Sequence, residues 1–302
     1  MNDFHISVLL KEAVEGLRVK KGKKYIDATI GGGGHTVEIL NRSGIVLGID
    51  VDQDAISYVR ERIKNYELRI KERLTLIKGN FRDIDKIAHL NNFDKVYGII
   101  FDLGVSSHQL ETRGRGFSFQ KEGPLDMRMD QELAVKAMDL IKILTKGELY
   151  EIFTKFGEEN RAWAISSRIV NARKMKPIET TKDLALAVEQ AFGKGGITSA
   201  FAKASADKRV FQALRIVVND ELNAIKIALP KAVRLLEANG RLAVISFHSL
   251  EDRIVKKAFI SFKEKKLGEI IIEKPIIPNS VEVARNRRAR SAKLRIFERQ
   301  IN

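Results

Sequence analysis

The sequence predicts an α/β protein, a parallel sheet covered by helices on both faces with an all-helical domain inserted into it. Three observations carry this expectation. Apolar runs without polar alternation, as expected of strands buried on both faces, recur between stretches of helical period. A run of four glycines, Gly31 to Gly34, closes the first of these strands. The alternation stops at about Arg113 and resumes after Lys208, which divides the chain into a first sheet segment (1–112), a helical insertion (113–208) and a second sheet segment (209–302).

After an amphipathic opening at Val8-Leu9-Leu10, Ala13-Val14 and Leu17, the first strand reads from Lys24 to Ile30. A helix from His35 to Leu40 leads to the run Ile45 to Ile49, closed by Asp50. A helical period from Ala55 to Tyr66 precedes a third strand, Leu74 to Ile77, and another from Ile84 to Leu90 precedes Val96 to Phe101, closed by Asp102. The insertion opens with a loop holding Arg113-Gly114-Arg115-Gly116-Phe117 and Pro124 to Met129, followed by helical patterns at Ala134–Leu144, Arg161–Arg173 and Thr180–Phe192. Thr180 or Thr181 with Asp183 reads as a helix start. One long helix, Arg209 to Glu237, then returns to a strand at Gly240–Phe247, a last helix through Ile254 and Phe259, and two short strands at Ile270–Ile272 and Ala292–Phe297.

At 302 residues, 44% of them hydrophobic, the chain can fold about two domains around cores of their own. It has no cysteine, which excludes disulfides, thiolate zinc sites and cysteine nucleophiles. Its net charge of +15 favours a polyanionic partner, nucleic acid first, because phosphates release counterions when lysine and arginine replace them. Met1 to His5 shows no leader pattern and no run reaches the length of a membrane span, so a cytoplasmic protein without membrane contact is expected.

Glycines between a strand and a helix let the backbone approach a ligand, and the helix N-terminus adds unpaired N–H groups. The dinucleotide fingerprint fails here, since its third glycine position holds Thr36 in one frame and Val37 in the other. A glycine loop with an acid closing the second strand, here Asp50, is common to dehydrogenases and S-adenosylmethionine enzymes, because that carboxylate can accept from ribose hydroxyls. No Walker pattern and no zinc-type histidine spacing occurs, so neither phosphate transfer nor an essential metal is expected.

The blocks Asp27-Ala28-Thr29-Ile30-Gly31-Gly32-Gly33-Gly34-His35 and Phe101-Asp102-Leu103-Gly104-Val105-Ser106-Ser107 together resemble one family, the ribosomal RNA small subunit methyltransferases H, or MraW, which methylate N4 of a cytidine in 16S rRNA. The likeness continues through Arg115–Phe119, Pro124–Asp130, Gly157–Glu159, Phe211–Ile216, Ile245–Arg253 and Ala289–Arg295. It implies a Rossmann-like class I S-adenosylmethionine methyltransferase sheet, S-adenosylmethionine as cofactor, and the small ribosomal subunit as partner. It places the cofactor on Gly33, Gly34, His35, Asp50, Phe81, Asp102 and Gln109. The chain departs from the family pattern at Ser205-Ala206, where His-Pro is usual, and at His108 and Arg287, where proline is usual.

Methyl transfer from a sulfonium is an in-line displacement, so the protein chiefly has to hold acceptor and methyl in near-attack geometry. Methylation at C5 of cytosine ordinarily needs a cysteine, so an exocyclic nitrogen or an oxygen is the better acceptor. A carboxylate accepting from the amine would localise its lone pair, which makes Asp102 the first catalytic candidate, with His248 and Glu251 behind it. Arg113 and Arg115, interleaved with Phe117 and Phe119, suit splayed RNA bases, the alternative being a basic loop folded over its own domain. The basic stretch from Arg285 onward, with Arg287, Arg288 and Arg290, reads as a phosphate contact. A non-catalytic ribosome-assembly factor on the same fold is the competing reading, and a nicotinamide dehydrogenase ranks third.

Overall fold

A computed structural model of the chain describes residues 7–64, 66–192 and 200–300; Met1 to His5, on which the absence of a leader was read, lie outside them. In chain order the elements are α1 (Leu10–Gly16), β1 (Lys24–Asp27), α2 (Gly34–Asn41), β2 (Ile45–Asp50), α3 (Gln53–Ile63), α4 (Leu68–Lys71), β3 (Leu74–Lys78), α5 (Ile84–Leu90) and β4 (Val96–Asp102). Then follow α6 (Ser107–Glu111), α7 (Ala137–Ile143), α8 (Lys146–Lys155), α9 (Ala162–Met175), α10 (Thr181–Gln190) and α11 (Ala200–Asn219). The chain closes with α12 (Glu221–Leu235), β5 (Leu236–Ser246), α13 (Ser249–Glu264), β6 (Gly268–Ile270), α14 (Ser280–Arg285) and β7 (Lys293–Arg299). Two compact units result: a sheet unit of residues 1–106 and 222–302, and a helical unit of residues 107–221.

Alternate residues of the strands feed two separate cores, as the two-residue period of a strand requires. Ile26, Leu47, Ile49, Ile99, Phe101, Leu242 and Val244 point to one face, where α5, α12 and α13 cover them with Ala88, Leu229 and Phe259. Tyr25, Val46, Ile100, Ala243 and Ile245 point to the other, under Val14 of α1, Ile39 of α2 and Val59 of α3. Truncating a buried aromatic such as Phe101 to alanine would cost about 3–5 kcal/mol.

The strand order is β3-β2-β1-β4-β5-β7-β6, a Rossmann-like arrangement. β1 to β5 pair in parallel, whereas β7 runs antiparallel to both β5 and β6. The parallel sheet expected from the sequence therefore holds for β1 to β5, and β7 is inserted antiparallel between β5 and β6. Order reverses between β1 and β4, and ligands of open α/β sheets gather at the carboxyl ends of strands at such a switch point.

The helix expected over 209–237 is two helices, broken at Asp220, whose φ of 50° is left-handed. Asparagine and aspartate tolerate that conformation best among residues other than glycine, and Asn219-Asp220 supplies it. The Asn219 side chain also leaves its helix, donating to the Met127 carbonyl and accepting from the Met129 amide. α11 packs on α7, α8 and α10, so the helical unit extends to Glu221 and is wider at both ends than the 113–208 read from the sequence. Its core holds Leu149, Phe153, Ile165, Ile169, Leu184 and Leu214. Capping boxes start α8 (Thr145 with Glu148) and α10 (Thr180 with Asp183), the second at the residue where the sequence predicts a helix start.

Candidate active site

The glycine loop is held from both sides by aspartates at strand ends. Asp27, 1% exposed at the end of β1, accepts from the Thr36 hydroxyl at 2.7 Å and from the Thr29 amide at 3.3 Å. Asp50, at the end of β2, accepts from the Gly31 amide and from the Asp52 amide, each at 2.9 Å. Asp52 in turn caps α3 through the Asp54 amide. Gly33 has a φ of 74°, and a Cβ there would stand 2.9 Å from the Val59 side chain; one on Gly34 would stand 2.1 Å from the Ser7 hydroxyl. Only glycine satisfies both conformation and space at Gly33. As N-cap of α2 it offers no side-chain acceptor, so no side chain caps the first amides of that helix.

Burial pushes the Asp50 carboxyl up to about 6, with Asp52 and Asp27 adding repulsion, against the pull of the Asp52 and Gly31 amides. His35, 3% exposed, shifts the opposite way for the same reason. Its burial lowers the imidazole below the usual histidine range, although Asp102 favours the charged form, so the ring is neutral at pH 7. His35 Nδ1 lies 3.8 Å from Asp102 Oδ2, and its Nε2 is buried without a hydrogen-bond partner among the described residues. Asp102 closes β4, where its amide donates to the Thr29 hydroxyl at 2.6 Å, tying the fourth strand end to the first.

Phe81 follows β3, just after Asn80, whose side chain caps the short helix Phe81–Asp83. Its ring stands edge-on to Phe101 with centroids 5.5 Å apart, and it stays partly exposed. At the end of β5, Glu251 is fully buried and accepts from the amides of Phe247 (2.7 Å) and His248 (3.3 Å), while His248 Nδ1 accepts from the Glu251 amide. The two residues read as secondary catalytic candidates thus form the N-terminal box of α13. Gly104 follows β4 beside Glu251 and Phe247, where a Cβ would lie 3.9 and 3.8 Å from them.

Gly33, Gly34, His35, Asp50, Phe81, Asp102, His248 and Glu251 therefore all stand at the carboxyl ends of β1 to β5. Gln109 and Arg113 belong to the helical unit, where α6 buries the first and the second is exposed. Arg115 does not face solvent. It is 5% exposed, and its guanidinium donates to the carbonyls of Arg128 (3.3 Å) and Met129 (2.8 Å). Phe117 is buried with it and Phe119 packs against Phe211 at 5.8 Å, so this loop folds over its own domain. The glycines explain why: a Cβ on Gly116 would stand 2.2 Å from the Pro124 carbonyl, and one on Gly123 would stand 2.0 Å from that of Arg113.

The basic C-terminal stretch separates in the same way. Lys293 and Arg295 pair with Asp252 at 3.0 and 2.7 Å, and Arg299 donates to the Val233, Arg234 and Leu236 carbonyls. Arg288 donates to the Val105 carbonyl, whereas Arg285, Arg287 and Arg290 are exposed. Sequence reasoning missed Asp27, Thr29 and Thr36 as site-building residues. Their signal was a polar Asp-x-Thr at a strand end directly before glycines, where buried apolar residues would otherwise continue.

A family model described as the MraW methylase family matches residues 2–300. The chain is 44% identical over 297 residues to the ribosomal RNA small subunit methyltransferase H of Sulfurihydrogenibium sp., covering 98% of this chain and 99% of that one. It is 41% identical over 320 residues to the protein of the same name from Carboxydothermus hydrogenoformans and 43% identical over 321 residues to that from Halothermothrix orenii, each with 99% of both chains covered.

Proposed function

The chain belongs to the MraW methylase family, and from that premise we propose that it methylates the exocyclic N4 amine of one cytidine in the decoding region of 16S rRNA within the small ribosomal subunit. The methyl donor is S-adenosylmethionine, which supplies an electrophilic methyl group on a sulfonium. The observation that carries the reading is the convergence of three strand ends: a glycine loop pinned by Asp50, a buried His35 whose Nε2 has no partner among the described residues, and Asp102 beside it.

The residues present fit the donor. Gly33 leaves room that a Cβ would fill, and the uncapped first turn of α2 presents amides to a carboxylate. Asp50 uses its two oxygens on two backbone amides, and each keeps a lone pair for a ribose hydroxyl. Phe81 offers a partly exposed ring for an adenine.

Asp102 is our candidate for holding the acceptor amine. Its carboxylate accepts a hydrogen bond from the amine, which directs the nitrogen lone pair out of conjugation with the ring and toward the methyl group, and it takes the proton that the nitrogen gives up on methylation. Neutral His35 next to it adds no positive charge that would weaken this acceptor. Glu251 and His248 keep the β5 end rigid beside Gly104. Among the basic residues, Arg113, Arg287 and Arg290 are proposed to meet RNA phosphates. Arg288 reaches the Val105 carbonyl near Asp102, and Arg115 is assigned to the loop's own fold.

The test is transfer of labelled methyl from S-adenosylmethionine to small subunits isolated from a strain lacking the gene, followed by mapping of the modified nucleotide. Label on N4 of a single cytidine supports the proposal. Cofactor binding without transfer to RNA or subunits would favour the assembly-factor reading.

A further inference from the structure

The loop expected to supply aromatic residues for RNA bases buries Phe117 and packs Phe119 on Phe211, so the most exposed aromatic rings of the helical unit lie elsewhere. Among the described residues of that unit, Trp163 is 56% exposed and Tyr150 40% exposed. They meet edge-to-face across α8 and α9, with centroids 5.5 Å apart and planes at 86°. Lys146 Nζ stands 3.6 Å from the centre of the Trp163 ring, and among the described residues this ammonium makes no ion pair.

Helical spacing makes this cluster a face. Lys146 and Tyr150 lie four residues apart on α8, while Leu149 and Phe153 of that helix turn into the core. Trp163 and Ser167 share a side of α9, with the Ser167 hydroxyl on the Trp163 carbonyl, and Ile165 and Ile169 turn inward. The acids of α8 are engaged elsewhere: Glu148 caps its own helix with Thr145, and Glu151 pairs with Lys155. What remains at the surface is two aromatic rings and a cation. Lys146 lies over one face of the Trp163 ring, so a base stacks on a ring face that it leaves open while the ammonium meets the phosphate.

We infer that the Tyr150–Trp163 face, with Lys146, binds an unpaired base of the substrate RNA by stacking, with little preference for which base. The inference rests on the rRNA methyltransferase reading for the identity of the RNA. Trp163 is the single tryptophan of the chain, so its fluorescence reports on this face without a label.

The experiment titrates the full chain with a twelve-nucleotide polyadenylate and with isolated small subunits, following tryptophan emission. In parallel, methyl transfer to the subunits is measured for the wild type, Trp163→Phe and Trp163→Ala. Expected are saturable quenching by both probes and a KM for subunits raised about tenfold in Trp163→Ala, with kcat and S-adenosylmethionine affinity unchanged. Trp163→Phe, which keeps a ring, should recover most of the loss and serves as the folding control. Absence of quenching, or wild-type KM in Trp163→Ala, overturns the platform and leaves the methyltransferase reading standing. Quenching that depends on protein concentration without RNA overturns it in favour of a second copy of the chain. No transfer by the wild type, with quenching intact, overturns the activity and supports the platform.

Discussion

In the helical unit 19 lysines and arginines stand against 16 aspartates and glutamates, so most of the chain's net +15 belongs to the sheet unit. The helical unit instead exposes Trp163 and Tyr150, whereas in the sheet unit Phe101, Phe259 and Phe297 are buried and Phe81 is partly exposed at the proposed donor site. Two units of one chain thus differ in how they can meet RNA. On the proposed function, the sheet unit carries the donor site and most of the excess positive charge, and the helical unit adds the exposed aromatic rings together with Arg113 and Lys146. Net charge predicted a polyanionic partner but not which part of the chain carries which kind of contact.

The largest effect expected from breaking this division lies at Asp102 in the sheet unit. Asp102→Asn keeps the shape and removes the charge, so turnover should fall by about 100-fold or more while cofactor affinity changes far less. Single-turnover methylation beside a cofactor titration checks it, and equal losses in both would make Asp102 a binding residue only.

Next in size is Asp50. Asp50→Ala should weaken S-adenosylmethionine binding by about 1.5–3 kcal/mol, the scale of a hydrogen bond to a charged group. It also strips acceptors from the Gly31 and Asp52 amides, so thermal stability should fall as well, and affinity must be compared below the melting range. Because the carboxyl sits at about 6, above its value in an unfolded chain, Asp50 holds a proton between the two that the unfolded state has lost. Its contribution to stability is therefore largest in acid and is lost as pH rises toward 6. Cofactor affinity runs the other way, since ribose hydroxyls need the carboxylate, and should weaken below about pH 6 with a proton exchange that Asp50→Asn abolishes. Calorimetry in buffers of different ionisation enthalpy measures that proton directly.

A smaller change sharpens the electrostatic half of the comparison. Replacing Arg287 and Arg290 by Gln should weaken subunit binding at low salt and reduce the slope of log affinity against log salt by roughly 0.7–0.9 for each phosphate left unneutralised. Arg288 is left in place because it supports the Val105 carbonyl. Melting should not move, since neither exposed side chain pairs with β7, which lies inside the sheet between β5 and β6. An unchanged slope would assign the RNA phosphates to other cations.

The smallest expected effect tests independence of the units. Thr145→Ala removes the capping box of α8, costing about 0.5–2 kcal/mol locally. Hydrogen exchange should quicken in α8 and α9 while cofactor affinity holds. A drop in affinity would show that the donor site depends on the helical unit's packing.

The sheet was legible because its information is local. Apolar runs such as Ile45–Ile49 and Val96–Phe101 are too short for buried helices and rich in β-branched residues, which reads as strands buried on both faces, and the glycines, Asp50 and Asp102 mark their carboxyl ends. The break at Asn219-Asp220 was not legible, because the helical period continues across it and the side chain that stabilises it binds Met127 and Met129, 90 residues or more away.

The sequence by itself determined the fold class, the glycine loop and its acid, and the family, all of which depend on residue type and short-range order. Only the tertiary structure decided which charged and aromatic residues remain available. Arg115, Arg295 and Arg299 are as basic in the sequence as Arg287 and Arg290, yet carbonyls and carboxylates from distant segments take them out of reach. Phe117 and Trp163 are alike as aromatic residues, and packing buried one and exposed the other. The physical reason is that burial and pairing are properties of neighbours brought together by the fold, which no local pattern encodes.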